Sequence, residues 1–327
     1  MKDLIAGIND QIKEAVSIGE AVSFNATDKK ISNILVCGLG GSGIGGVIVS
    51  QLLKDELCVP FVCVNDYNIP AFVNENTLVI GSSYSGNTEE TIATVEESKQ
   101  RGAEICIITS GGELGNMAKT HGWNHAIVPG GEQPRAMLAY SIIQQLYMLY
   151  NYGLISDKHI KDLSKVPPLI DQHELEIQKE ANKVAETLHG NVPVIYADSA
   201  FGGVATRVKQ QINENSKELC WDHVLPEMTH NELVGWAGGK PIIAPVYLAT
   251  DYDHPRTTHR WNISKEVISK YSPNISEIRA KGTTRIEQVF YLIHITDWVS
   301  YYLSELKGVD PVEVEVIAYL KGEMAKR

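Results

Sequence analysis

An apolar run, Thr77-Leu78-Val79-Ile80-Gly81, ends abruptly in Ser82-Ser83-Tyr84-Ser85-Gly86-Asn87-Thr88-Glu89-Glu90-Thr91, and a helical pattern then extends from Thr88 to Gly102. A buried strand that passes through a short hydroxyl-rich loop into a helix N-terminus is one half of a βαβ unit. It restricts the chain to folds built on a parallel sheet. Backbone N–H groups at a helix N-terminus carry partial positive charge, and Ser and Thr hydroxyls add neutral donors. The loop can therefore hold a phosphate without a Lys or Arg. The plain alternative is a capped helix, with Asn87 as N-cap and Glu90 three residues on.

The rest of the chain repeats this grammar. A leading helix is expected from Lys2 to about Val22, followed by strands at 33–37, 60–64, 104–109 and 126–128, with helices between them (one from Gly45 to Lys54). A long helix from about Arg135 to Tyr150 closes the first half. After a polar helical connector over 171–189, the plan recurs. A strand at 192–197 ends in Asp198-Ser199-Ala200-Phe201-Gly202-Gly203 and enters a helix reaching about Lys217, and another strand follows at 241–248. Gly282-Thr283-Thr284-Arg285 then opens a long helix, as Gly131 to Arg135 does earlier. The fold class is α/β, two mainly parallel twisted sheets flanked by helices, with subdomains expected at 1–152 and 153–327. The repeat is unequal. Where the first half has its hydroxyl-rich loop, the second has Asp251-Tyr252-Asp253-His254-Pro255, acidic and unsuited to a phosphate.

Composition narrows the function classes. A net charge of −11 disfavours nucleic acid or an anionic membrane as the main partner, so an anionic ligand must be held by local geometry. Five cysteines form no CxxC pair, which suits a reducing compartment. No signal-like segment or membrane-length apolar run is present, and a cytoplasmic protein is expected.

A second turn competes for the functional reading. Gly38-Leu39-Gly40-Gly41-Ser42-Gly43 places G-x-G-x-x-G after a strand and before a helix, and Asp66 lies near the end of the next strand. That is the setting of a dinucleotide fingerprint, and it makes an NAD-linked oxidoreductase the chief rival. A dinucleotide site does not call for a second hydroxyl-rich anion loop one βα unit later. Two adjacent turns at the carboxyl ends of strands suit a compact phosphomonoester with an attached polyol.

These residues resemble the sugar isomerase (SIS) fold family, and more closely its bifunctional phosphoglucose/phosphomannose isomerases. The resemblance covers nearly the whole chain. It rests on the glycine turn at 38–43, the loop at 83–91, Pro134-Arg135-Ala136, Asn213-Glu214-Asn215-Ser216-Lys217 and His230-Asn231-Glu232. It implies two SIS subdomains, a homodimer, no metal or other cofactor, and interconversion of aldose and ketose sugar 6-phosphates. By position, Gly40, Gly41, Ser42, Ser83, Ser85 and Thr88 would line the sugar-phosphate pocket. Arg135, Glu214, His230 and Lys321 would be the catalytic set, with His230 supplied across the dimer interface.

The chemistry fits those residue types. Moving a carbonyl between C1 and C2 requires ring opening, removal of a proton beside the carbonyl, and stabilisation of an enediolate. A carboxylate such as Glu214 can shuttle the proton if burial raises its pKa. Arg135, whose charge opposes a helix N-terminus, can meet the oxyanion. His230, assisted by Lys321, can pass the ring-opening proton between O5 and O1. A metal triad of His223, Glu227 and His230 is the competing use of these residues, but Pro226 interrupts the helix it would need. A non-catalytic sugar-phosphate sensor is the third alternative; no DNA-binding helix pair accompanies the motifs.

Overall fold

In the computed structural model, which describes residues 1–324 and 326, the chain divides into two compact units. The N-terminal unit is 6–172 with 281–291, and the C-terminal unit is 1–5 with 173–280 and 292–327. The division differs from a cut at 152/153. Residues 153–172 stay with the N-terminal unit because Asn9 Nδ2 donates to the Pro167 carbonyl (3.2 Å) and to Asp171 Oδ1 (2.7 Å). Segment 281–291 joins it through the ion pair of Arg285 with Asp55 (3.0 Å).

The expected leading helix is two helices, α1 (Lys2–Ala6) and α2 (Ile8–Ala21), broken at Gly7. Then follow β1 (Asn33–Cys37), α3 (Gly40–Leu52), β2 (Phe61–Val64), β3 (Thr77–Ser82), α4 (Glu89–Gln100), β4 (Glu104–Thr109), α5 (Gly112–His121) and β5 (Asn124–Ile127). These strands form one parallel sheet in the order β2-β1-β3-β4-β5. Their apolar runs are continuous because helices cover both faces. Leu35, Val79, Ile105 and Ile107 pack with Val95 of α4 and Leu114 of α5. A 3-10 turn, Pro134–Ala136, precedes α6 (Leu138–Asn151), so Arg135 stands before the long helix rather than inside it. Helices α7 (Lys158–Asp162) and α8 (Val166–Leu188) follow, α8 beginning earlier than its polar pattern suggests because Pro167 and Pro168 are tolerated in a first turn.

The C-terminal unit holds β6 (Val192–Asp198), α9 (Gly202–Ser216), β7 (Trp221–Leu225), α10 (Glu232–Gly235), β8 (Ile243–Ala249), α11 (Pro255–Ile268) and β9 (Ser276–Arg279). It continues into α12 (Arg285–Lys307), which begins in the other unit, and α13 (Glu315–Met324). Its parallel sheet has the order β7-β6-β8-β9, the counterpart of β2-β1-β3-β4. The duplication read from sequence is thus visible as topology. Tyr247 stacks on Trp261 (4.3 Å between ring centroids) in this unit's core.

One face of α9 is fixed by polar contacts to α12. Arg207 pairs with Asp297 (2.9 Å), Gln211 Nε2 donates to Asp297 Oδ1 (2.9 Å), and Asn215 Nδ2 donates to Ser300 Oγ (2.9 Å). Burial pushes the Asp297 carboxyl above its ordinary range despite the Arg207 guanidinium. Glu214, three positions after Gln211 and seven after Arg207, lies at the edge of the same helix face and is half-buried. Among the described residues no helix is long and apolar enough to cross a membrane.

Helix α3 begins at Gly40, five residues before its expected start, because its glycines are packing positions rather than loop residues. A Cβ on Gly43 would lie 2.3 Å from the Gly38 carbonyl oxygen, and backbone cannot swing aside as a side chain can. Gly43→Ala is therefore expected to lower stability by about 1–3 kcal/mol, the usual cost of overpacking a tight contact. Denaturant unfolding checks this, and a variant as stable as the parent contradicts the close approach.

Candidate active site

Strands β1 and β3 are neighbours, paired in parallel from Asn33↔Thr77 to Cys37↔Gly81, so their turns emerge side by side at the carboxyl edge of the sheet. After β1 the chain enters α3 at once. Ser42 and Gly43 N–H donate to the Leu39 carbonyl (3.1 and 3.2 Å), while Gly40 and Gly41 occupy the first positions, whose N–H groups point out of the helix. Gly40 has φ +52° and is exposed; Gly41 and Ser42 are half-buried.

After β3 the chain makes a tight turn whose hydroxyls organise its backbone. Ser83 is buried, shares a hydrogen bond with Thr88 Oγ1 (2.8 Å) and accepts from Gly86 N–H (3.2 Å). Ser85 is exposed, and its hydroxyl accepts from Asn87 N–H (3.2 Å). The N-cap of α4 is Thr88, not Asn87. Asn87 Oδ1 instead accepts from Glu113 N–H (3.0 Å), tying the turn to α5. Gly86, at φ +69°, sits so close to the next turn that a Cβ would lie 1.9 Å from the Gly111 carbonyl oxygen. Only glycine fits there.

Arg135 belongs to the same neighbourhood. A Cβ on Gly41 would lie 3.2 Å from the Pro134 carbonyl oxygen and 3.6 Å from Arg135 Cα. The Arg135 side chain is buried, with Nη1 donating to Gln133 Oε1 (3.1 Å). The structure thus gathers Gly40, Gly41, Ser42, Ser83, Ser85, Thr88 and Arg135 at one edge of one sheet.

The equivalent edge of the C-terminal sheet is occupied by the protein's own carboxylates. Asp198 accepts from Ala200 N–H (2.9 Å) and from His254 N–H (3.1 Å). Asp253 accepts from Thr250 N–H (3.1 Å), Thr250 Oγ1 (2.6 Å) and the Tyr247 hydroxyl (3.1 Å). Burial, with Asp198 nearby, raises the Asp253 carboxyl above its usual range. The donors that an anion would use are already satisfied, which gives the unequal repeat its physical reason.

Glu214 lies in the last turn of α9 and borders a cavity of about 340 Å³ shared with Asn213, Lys217, Glu313, Val314, Val316 and Ile317. That volume is within the range of small-molecule sites, about 300–1,000 Å³. Lys217 builds it. At φ +49° it caps the helix, and its Nζ donates to the carbonyls of Glu214, Asp310 and Glu313, each at 2.7 Å. The segment leading into α13 is thereby strapped beside Glu214. Lys321 is exposed on α13 and does not line the cavity. It stands one turn beyond Ile317 on the same helix face.

His230, exposed, ends the 3-10 turn Glu227–His230, in which Met228 is buried. The turn is anchored two residues later by Glu232, whose carboxylate accepts from the hydroxyl of Tyr196 and from Trp221 Nε1 (3.4 Å), and pairs with His223 Nδ1 (2.8 Å). His223 lies in β7 and Glu227 in the 3-10 turn, so the one-helix-face spacing with His230 does not arise. Among the described residues no cluster of His, Cys, Asp and Glu could hold a metal ion. Lys217 and Glu232 lie within the motifs at 213–217 and 230–232, which do not show what the two side chains do. A Lys at a helix's C-terminal end is a local signal for capping carbonyls; nothing local signals Tyr196 as a partner of Glu232.

Comparison with known proteins identifies the family. Residues 28–152 match the SIS domain model, and residues 177–324 match the bacterial phospho-glucose isomerase C-terminal SIS domain. The bifunctional phosphoglucose/phosphomannose isomerase of Caldicellulosiruptor bescii is 37% identical over 100% of this chain and 99% of its own. The enzyme of the same description from Aquifex aeolicus is 36% identical over 90% of each chain. The C-terminal domain of glucosamine-fructose-6-phosphate aminotransferase from Francisella tularensis superposes with a TM-score of 0.75 at 13% identity, covering 95% of this chain and 97% of that one, a likeness of fold alone. The chain belongs to the bifunctional phosphoglucose/phosphomannose isomerase family.

Proposed function

We propose that this protein interconverts fructose 6-phosphate with glucose 6-phosphate and with mannose 6-phosphate through a cis-enediol. The observation that carries the proposal is the carboxylate of Glu214 beside a ligand-sized cavity with apolar Val314, Val316 and Ile317 in its wall, in a chain of this family.

The N-terminal subdomain takes the phosphate. The outward N–H groups of Gly40 and Gly41, with the hydroxyls of Ser42, Ser85 and Thr88, supply the donors, and Ser83 shapes the turn from within. Arg135, a fixed charge that cannot lose its proton, stabilises the oxyanion of the enediolate, a contribution usually worth about 10²–10³ in rate. The C-terminal subdomain supplies proton transfer. His230 moves the ring-opening proton between O5 and O1, with Lys321 assisting. Glu214 then takes the proton from C2 of the aldose and returns it to C1. In the reverse direction the planar C2 of the enediol can be protonated on either face, which yields glucose or mannose configuration from one intermediate.

The active form is a homodimer in which His230 of the partner subunit completes each site. Five free cysteines suit the reducing cytoplasm. The reading expects no metal to take part.

Glu214→Gln keeps the shape of the side chain and removes the base. It is expected to lower kcat by about 10²–10⁴-fold with KM near the parental value, measured with fructose 6-phosphate in a coupled assay; near-normal turnover overturns the assignment. The dimer is checked by mixing Glu214→Gln with His230→Ala subunits, each inactive alone, under conditions of subunit exchange. If the His crosses the interface, half the dimers are mixed and each regains one complete site, so about a quarter of parental activity returns. No recovery means that His230 serves its own subunit.

A further inference from the structure

The turn that carries Arg135 has little structure of its own. Residues 129–133 form neither helix nor strand, Gly131 sits at φ +97°, and the segment ends in the single 3-10 turn Pro134–Ala136. A glycine-containing connection of this kind is costly to hold in one conformation, so its placement depends on tethers to rigid neighbours.

Tyr84 connects it to the rest of the site. Its N–H donates to Ser42 Oγ (3.1 Å), fastening the loop after β3 to the glycine turn after β1. Its carbonyl accepts from Ser110 N–H (2.9 Å) and Ser110 Oγ (2.7 Å), fastening the same loop to the end of β4. Its phenol oxygen accepts from Glu132 N–H (3.2 Å), three positions before Arg135. Gly130 rests on Ser110 as well, where a Cβ would lie 3.0 Å from its hydroxyl. The space that Tyr84 shares with Gly41, Ser42 and Pro134 is about 10 Å³, which admits nothing larger than a water. The contacts of Tyr84 with these turns are packing and registration, not a substrate pocket.

We propose that Tyr84 is a positioning residue whose phenol oxygen, through Glu132 N–H, registers Arg135 against the turns that take the phosphate. The inference rests on reading Arg135 as the group that stabilises the enediolate. Tyr84 touches no reacting atom. Its loss acts through misplacement of the guanidinium, to which rates are steeply sensitive, about 10²-fold for an ångström.

The test is a double-mutant cycle of Tyr84→Phe, Arg135→Lys and the pair, measuring kcat and KM for fructose 6-phosphate and the Kd of inorganic phosphate. Melting temperatures set an assay temperature at which every variant is folded. Tyr84→Phe is expected to lower kcat about tenfold, leave KM and the phosphate Kd within about twofold, and cost nothing further when residue 135 is already Lys. Losses that multiply in the pair, or parental kcat for Tyr84→Phe, overturn the positioning role and leave Arg135 in place. A weakened phosphate Kd with unchanged kcat overturns it too, making Tyr84 part of the anion site. Parental kcat for Arg135→Lys is a separate signature: it removes the role of Arg135 and this inference with it.

Discussion

The parallel pairing of β1 with β3 is the constraint on which the site depends. Because Cys37 and Gly81 are paired in that ladder, the two chain segments leave the sheet side by side and in the same direction. Neither turn alone offers more than one helix N-terminus. Together they bring outward N–H groups of α3 and the hydroxyls before α4 to one place, and Ser42 bonds the two turns directly through Tyr84 N–H. The approach is close enough to exclude a side chain at Gly38, where a Cβ would lie 2.7 Å from the Ser82 carbonyl oxygen. Glycine is the price of proximity, and on the proposed function it is how a chain with net charge −11 would hold an anion without clustering cations.

Duplication supplied the same edge twice, and the two copies diverged in what fills it. In the C-terminal unit Asp198 and Asp253 satisfy the donors at the strand ends. That edge became a self-contained joint. What this unit offers instead comes from its periphery: the end of α9 with Glu214, strapped by Lys217 to the segment before α13, and the turn with His230, anchored by Glu232. On the proposed function, division of labour between the two units follows from the loss of a binding edge in one copy.

Much of this was legible in the sequence, because its signals are local. Apolar runs of strand length marked the strands of the N-terminal sheet and the central pair β6 and β8 of the other, and the position of the hydroxyl-rich loop after Gly81 placed it at a sheet edge; the short polar edge strands β7 and β9 carry no such run. Errors arose where a residue's local preference was overridden by a distant contact. The low helix propensity of Gly40 to Gly46 hid the first turn of α3, since the packing that requires those glycines comes from Gly38, Val36 and Ser141. Asn87 looked like a cap until its side chain found Glu113 N–H. Tyr84 and Glu232 show the same limit from the other side. Their partners lie far along the chain, and no periodicity announces such pairs.

The central claim is proton transfer at C2 by a carboxylate through an enediol, and proton NMR in D2O tests it directly. The protein, treated with a chelator, is given fructose 6-phosphate and the aldose products are followed. The account predicts that glucose 6-phosphate and mannose 6-phosphate both appear, with deuterium at C2 from those turnovers in which the proton exchanges with solvent on the base, and that Glu214→Gln loses this incorporation together with turnover. Deuterium entering C2 as fast with Glu214→Gln as with the parent, or no conversion once metal ions are removed, would contradict it.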